Sequence, residues 1–142
     1  MLEYTNLPGI RTIGIVSADD LPRYVVMESI CGSWPAVAVP AKPIAFTGHP
    51  EVKAVLSVND RETFQRTDLV FETADPIGIL GYSRLGFVVT DVNGRSWLIG
   101  SREGPYPWVE LETGTAGPDR KVVYKYSVTL SAVRSLIRCV LP

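Results

Sequence analysis

The sequence holds a single histidine, His49, and two cysteines, Cys31 and Cys139, among 142 residues. One histidine cannot build a multi-histidine metal site. No Cys-x-x-Cys or His-Glu-x-x-His spacing occurs, so structural zinc and zincin chemistry are excluded and no metal or cofactor is expected. An excess of either charge is missing too, since 14 basic residues against 15 acidic ones leave a net charge of −1. Such a chain raises no strong field toward a phosphate backbone or an anionic bilayer. Neither sequence-specific nucleic-acid binding nor membrane association is therefore expected. No apolar run approaches the length of a transmembrane helix. The opening residues, Met1 to Pro8, lack a basic and an apolar signal region, and no Asn-x-Ser/Thr acceptor occurs, so secretion is not expected. The cysteines then read as buried thiols, with pairing left open.

Room for long helices is also scarce. The chain has 12 glycines and 11 prolines, spread almost throughout, and these residues break helices. The longest stretches free of them are 51–75 and 119–141. Within the first, Asn59 to Arg66 admits a short helix capped by Asp60.

What remains is β signal. The 142 residues, 46% of them hydrophobic, suit one globular domain spanning 1–142 with a core of its own. From Lys121 to Ala132 the even positions (Val122, Tyr124, Tyr126, Val128, Leu130, Ala132) are apolar and the odd ones mostly polar, which predicts a half-buried strand of unusual length. The run Arg84 to Gly100 predicts a hairpin turning at Asn93-Gly94, the preferred pair of a type I′ turn. That turn sets Val92 opposite Arg95, Val89 opposite Leu98 and Val88 opposite Ile99. One face then carries Val88, Thr90, Trp97 and Ile99, the other Phe87, Val89 and Leu98. Both faces are apolar, so the hairpin is either sandwiched or covered from outside the chain. Weaker strand signals lie at Thr12–Val16, Arg23–Glu28, Val37–Val39, Ile44–Phe46, Val52–Val58, Leu69–Glu72, Trp108–Glu112 and Ser135–Leu141. The segment 101–119 reads as loop-rich, and Gly114 to Pro118 as a turn. The expected fold is mainly β: an antiparallel β-sandwich or barrel with one long hairpin and at most one short helix.

Catalytic motifs are nearly absent. No nucleophile-elbow pattern accompanies His49, which reads as a loop histidine; a hydrolase pairing His49 with Cys31 or a nearby carboxylate stands as an alternative. Gly78, Gly81 and Gly86 lack the lysine and spacing of a phosphate loop. The carboxylates Asp19-Asp20, Glu72 with Asp75, and Glu110 with Glu112 read as solvated faces. The segment Gly104-Pro-Tyr-Pro-Trp108 holds large rings on an extended chain, as does Trp34-Pro35, and either docks on a partner or lids the core. Arginine outnumbers lysine ten to four, a composition that favours partner surfaces.

The run Phe87 to Gly100, followed by Pro105 to Val109 and the alternating strand 121–132, resembles small virion proteins of tailed bacteriophages and prophages of gut bacteria. The resemblance covers about residues 69–142. It implies a non-enzymatic structural subunit of a tail or head–tail connector, working as a homo-oligomeric ring joined through extended β-hairpins. It implies neighbouring virion proteins as partners, and location in the virion after assembly in the bacterial cytoplasm. The family brings no catalytic residues. Candidate interface residues are Val88, Trp97, Ile99, Tyr106, Trp108, Tyr124 and Tyr126. A second expectation is a β-barrel or sandwich binding module for a small apolar or carbohydrate ligand, with Trp34, Trp97, Trp108, Tyr106, Tyr124 and Tyr126 as contacts.

Overall fold

A computed structural model describes residues 2–21, 41–58, 63–79, 81–82, 84–116 and 121–139. The strands are β1 (Leu2–Asn6), β2 (Ile10–Ser17), β3 (Lys42–Ile44), β4 (Thr47–Val58), β5 (Thr63–Thr73), β6 (Gly81–Tyr82), β7 (Leu85–Asp91), β8 (Ser96–Ile99), β9 (Trp108–Ala116), β10 (Lys121–Ala132) and β11 (Ile137–Cys139), with one 3-10 turn at Ala18–Asp20. Six strands form one sheet in the order β1-β4-β5-β10-β9-β6, and five form the other as β11-β8-β7-β2-β3. Every pairing is antiparallel. The protein is a β-sandwich. The expected strands at 23–28 and 37–39 lie outside the described residues.

Between the sheets runs one core. The larger sheet contributes Val52, Ala54, Leu69, Phe71, Val109, Tyr126, Val128 and Leu130; the smaller contributes Ile13, Phe87, Val89 and Ile99. Strand β10 spans the residues that period-2 alternation predicts, and its even positions from Tyr126 to Ala132 are buried. Tyr126 stacks on Phe71 with ring centroids 5.3 Å apart. Its hydroxyl accepts a bond from the Ile77 N–H at 2.9 Å, so the phenol is buried without an orphaned oxygen.

The expected helix at Asn59–Arg66 is corrected over its described part. Residues 63–66 open β5, with Thr63, Gln65, Thr67, Leu69, Phe71 and Thr73 on one face. Three of these are buried polar residues, which hide the alternation from a hydrophobicity reading. Their polarity is matched. The Gln65 carboxamide oxygen accepts from the backbone N–H groups of Ser135 and Leu136 at 2.9 and 3.0 Å, and the Thr67 and Ser135 hydroxyls meet at 2.7 Å. These bonds clamp the corner where the chain leaves β10 for β11 in the other sheet. Likewise Gly114 to Ala116, expected as a turn, continue β9.

The central hairpin forms where expected, but its register is shifted by one residue. Observed pairs are Thr90 with Ser96, Val89 with Trp97, Val88 with Leu98 and Phe87 with Ile99. The loop holds three residues, not two. The Gly94 N–H donates to the Asp91 carbonyl at 3.0 Å, the Asp91 N–H donates to the Arg95 carbonyl at 2.9 Å, and Gly94 lies at φ 83°. This is the turn-plus-left-handed-glycine arrangement of three-residue hairpins. The buried Asp91 carboxylate holds it: Oδ1 accepts from the Asn93 and Arg95 N–H groups at 2.9 and 3.0 Å.

The shift reassigns the faces. Trp97 and Ile99 join Phe87 and Val89 against the larger sheet. Val88 and Leu98 point the other way, into a second cluster with Val16, Leu21, Ile137 and Cys139. Gly86 leaves space there, since a Cβ would sit 3.2–3.3 Å from Val16, Leu21 and Leu98. Val88 and Leu98 are 2% and 0% exposed, so the chain itself covers both faces of the hairpin. Replacing Asp91 by alanine strands two backbone donors, and a loss of about 2–4 kcal/mol is expected in urea unfolding. Asp91→Asn, which keeps an acceptor, is expected to lose less than half of that.

Candidate functional site

The sandwich is uneven, and the unevenness places its exposed apolar groups. Beyond Thr73, where β5 ends against Tyr124, Lys121 to Val123 of β10 pair only with Gly114 to Ala116 of β9. This hairpin arm projects about 10 Å past β5 at roughly 3.3 Å per residue. At the opposite end of the sheet, β10 stops at Ala132 opposite Gln65, while β4 and β5 continue through the pairs Ser57–Phe64 and Val58–Thr63. Each arm carries large apolar side chains in solvent: Val122 is 47% exposed on one, Phe64 49% and Val58 39% on the other. Val58 and Val122 have the inward parity of their strands and Phe64 the outward one; apolar side chains at projecting ends mark an interaction surface more than scattered surface residues do.

The sequence-predicted interface residues divide. Val88, Ile99 and Tyr126 are interior, at 2%, 0% and 0% exposure, and offer no surface to a neighbour. Apolar alternation marks burial and says nothing about which chain does the burying. Trp97 and Tyr124 are half-buried against the core. The Trp97 ring lies under the Arg138 guanidinium at 5.3 Å. Tyr106 folds onto its own loop: its hydroxyl donates to the Arg102 carbonyl at 3.0 Å, and Arg84 lies 5.7 Å over its ring. Trp108 alone of the seven is well exposed, at 40%, and its indole N–H donates to the Glu110 carboxylate at 3.0 Å. Phe64, Val58 and Val122 were not singled out by sequence reasoning; for Phe64 the expected helix concealed the strand signal.

The other chemistry-bearing residues are dispersed. His49 is exposed at an irregularity in the β4–β5 ladder, in an open groove of about 240 Å³ lined also by Thr47, Glu51, Glu72 and Lys125. A second groove of about 220 Å³ is lined by Ile44, Ala45, Phe46, Thr47, Ala74, Asp75 and Ile77. Cys31 and Trp34 lie outside the described residues. Among the described residues, no group of three or more His, Cys, Asp or Glu side chains gathers as a metal site. No helix among them is long and apolar enough to cross a membrane. No family model, curated protein or solved structure matches the chain.

Cys139 is buried in the second cluster. Desolvation there pushes its thiol up from 9.0 to about 12, against a smaller opposing pull from Arg138. A thiol so placed stays protonated and unreactive near neutrality. In a Cys31→Ser background, thiol reagents at pH 8 are expected to label Cys139 only after denaturation. Above pH 9 the unfolded thiol ionises while the folded one stays neutral, which favours unfolding, so stability from this group is full below pH 9 and falls as pH rises toward 12, readable in thermal melts.

Proposed function

We propose that the chain is a non-enzymatic structural subunit that joins identical copies into a ring through its two hairpin arms, within a phage-like virion or tail. The observation that carries the ring is the placement of the arms. They project from opposite ends of one sheet, and the side chains they expose differ: Val122 on one, Val58 and Phe64 on the other. A contact between two different patches is heterologous, and repetition of a heterologous contact closes into a ring when the rotation permits. The phage setting rests on the resemblance of residues 69–142 to small virion proteins. Light scattering and electron microscopy of the purified chain test the ring. Phe64→Lys or Val122→Lys places a charge in the contact and is expected to weaken assembly at least tenfold, about 1.4 kcal/mol per interface, without loss of folded β signal. Retention of full assembly in both variants would sink the arm model.

A second reading, a glycan-binding module, is favoured by one observation. The exposed Trp108 ring lies on the outer face of the larger sheet opposite Thr129, whose hydroxyl donates to Asp68 at 3.0 Å. An aromatic plane beside hydrogen-bonding groups suits a sugar ring. Glycan-array binding abolished by Trp108→Ala would support it; an array with no signal for the unaltered chain would dismiss it.

A further inference from the structure

The edge strand β1 uses half of its backbone bonding groups in the sheet. Its partner β4 lies on one side, and among the described residues no strand lies on the other. The phase of the ladder says which groups face outward. The Leu7 N–H donates to the Val52 carbonyl at 3.1 Å, and the register runs on through Asn6–Lys53, Thr5–Ala54, Tyr4–Val55, Glu3–Leu56 and Leu2–Ser57. Antiparallel pairs alternate between bonded and non-bonded. Leu7, Thr5 and Glu3 therefore turn their N–H and C=O groups toward β4. Asn6, Tyr4 and Leu2 turn theirs to the open side.

These three residues are symmetric about Tyr4. We propose that β1 is a self-pairing edge, joining two copies of this chain antiparallel about a two-fold axis at Tyr4. Tyr4 then lies opposite its own copy, and Leu2 opposite Asn6 in both directions. All three pairs are of the bonded kind, giving about six N–H···O=C bonds, two for each pair. The register is specified by the same phase. A slip of one residue sets outward groups against groups already used by β4, and a slip of two gives up one of the three pairs. The edge has no proline and no lysine, and its one charged residue, Glu3, falls opposite Thr5 of the copy and not opposite itself. Among the described residues Tyr4 is also the most exposed large hydrophobic side chain, at 68%, beside the half-buried Val55. Self-pairing sets one Tyr4 ring next to the other, covering apolar surface that the single chain leaves wet.

This contact goes beyond the ring reading and uses the outward backbone groups of β1, not Phe64, Val58 or Val122 of the arms, so the two fail separately. Light scattering of the full chain is expected to give an even number of copies. Tyr4→Pro removes only an outward-facing N–H, which edge strands tolerate, so the β1–β4 ladder keeps its bonds. It is expected to halve the assembly mass, while Tyr4→Phe leaves that mass unchanged. Val122→Lys is expected to reduce any ring to the β1-joined dimer. In a Cys31→Ser background, Tyr4→Cys is expected to form an interchain disulfide on oxidation, because bonded antiparallel pairs hold Cα atoms about 5.5 Å apart, within disulfide reach. A chain that stays monomeric at high concentration, or whose mass is unchanged by Tyr4→Pro with no disulfide through Tyr4→Cys, overturns the proposal and leaves the edge to a strand of another protein.

Discussion

The Asp91 carboxylate sets the register of the central hairpin, and much of the sandwich follows from that register. By accepting the Asn93 and Arg95 N–H groups, it favours a three-residue loop over a two-residue one. A one-residue change there would turn every later side chain of β8 to the opposite face. Trp97 and Ile99 would leave the main core, and Leu98 would leave the cluster around Leu21, Ile137 and Cys139. Strand β11 pairs with β8 through Ile137–Leu98 and Cys139–Ser96, so the end of the described chain takes its place from the same turn. The Arg138 guanidinium over Trp97 depends on it as well.

The hairpin illustrates what a sequence carries and what it leaves to side-chain chemistry. Asn93-Gly94 announces a turn, and flanking β-branched residues announce strands, so the element was legible. The dipeptide fits two loop lengths, however, and the choice lies with an aspartate two residues earlier whose burial no local pattern reveals. Strand β10 was legible to its exact bounds because its inward positions are apolar nearly throughout. The start of β5 was not, because Gln65 and Thr67 occupy inward positions and are satisfied by partners about seventy residues away. The candidate surface was least legible. Val88, Ile99 and Tyr126 follow core periodicity; Val122 shares the inward parity of Tyr126 but lies beyond the point where β5 stops, and Phe64 faces outward between Thr63 and Gln65 in a strand whose pattern was hidden.

The two sheets treat their edges differently, and the difference narrows where contacts can form. In the smaller sheet the edge strands β3 and β11 have three residues each, and β3 contains Pro43. Short strands and proline both discourage pairing with another chain. In the larger sheet, β6 covers only Trp108 and Val109 of β9, and the remainder of that edge carries the exposed carboxylates Glu110 and Glu112. Acidic side chains on an edge oppose a second strand bearing the same charges. Strand β1 has five residues and presents Tyr4 instead. Of the described edges it is the one with both length and an apolar side chain in solvent.

An edge contact and arm contacts make different geometric demands. Antiparallel pairing of β1 with itself is isologous: each copy supplies the same patch, and the contact is complete with two chains. Contact between the Phe64 arm and the Val122 arm is heterologous, because each copy leaves one arm unused until the chain of copies closes. The β9–β10 arm projects along the strand direction from one end of the sheet, whereas the bonding groups of β1 point sideways within the sheet plane. The β4–β5 arm lies alongside β1, where Leu2 pairs with Ser57, but its end beyond Ser57 and the outward bonding groups of β1 are different surfaces. A subunit using both would build dihedral symmetry, two rings held back to back across β1 edges; one using a single contact would stop at a dimer or a lone ring. An odd copy number would therefore exclude a β1 contact in every copy, whereas a bare dimer would leave the arms unused.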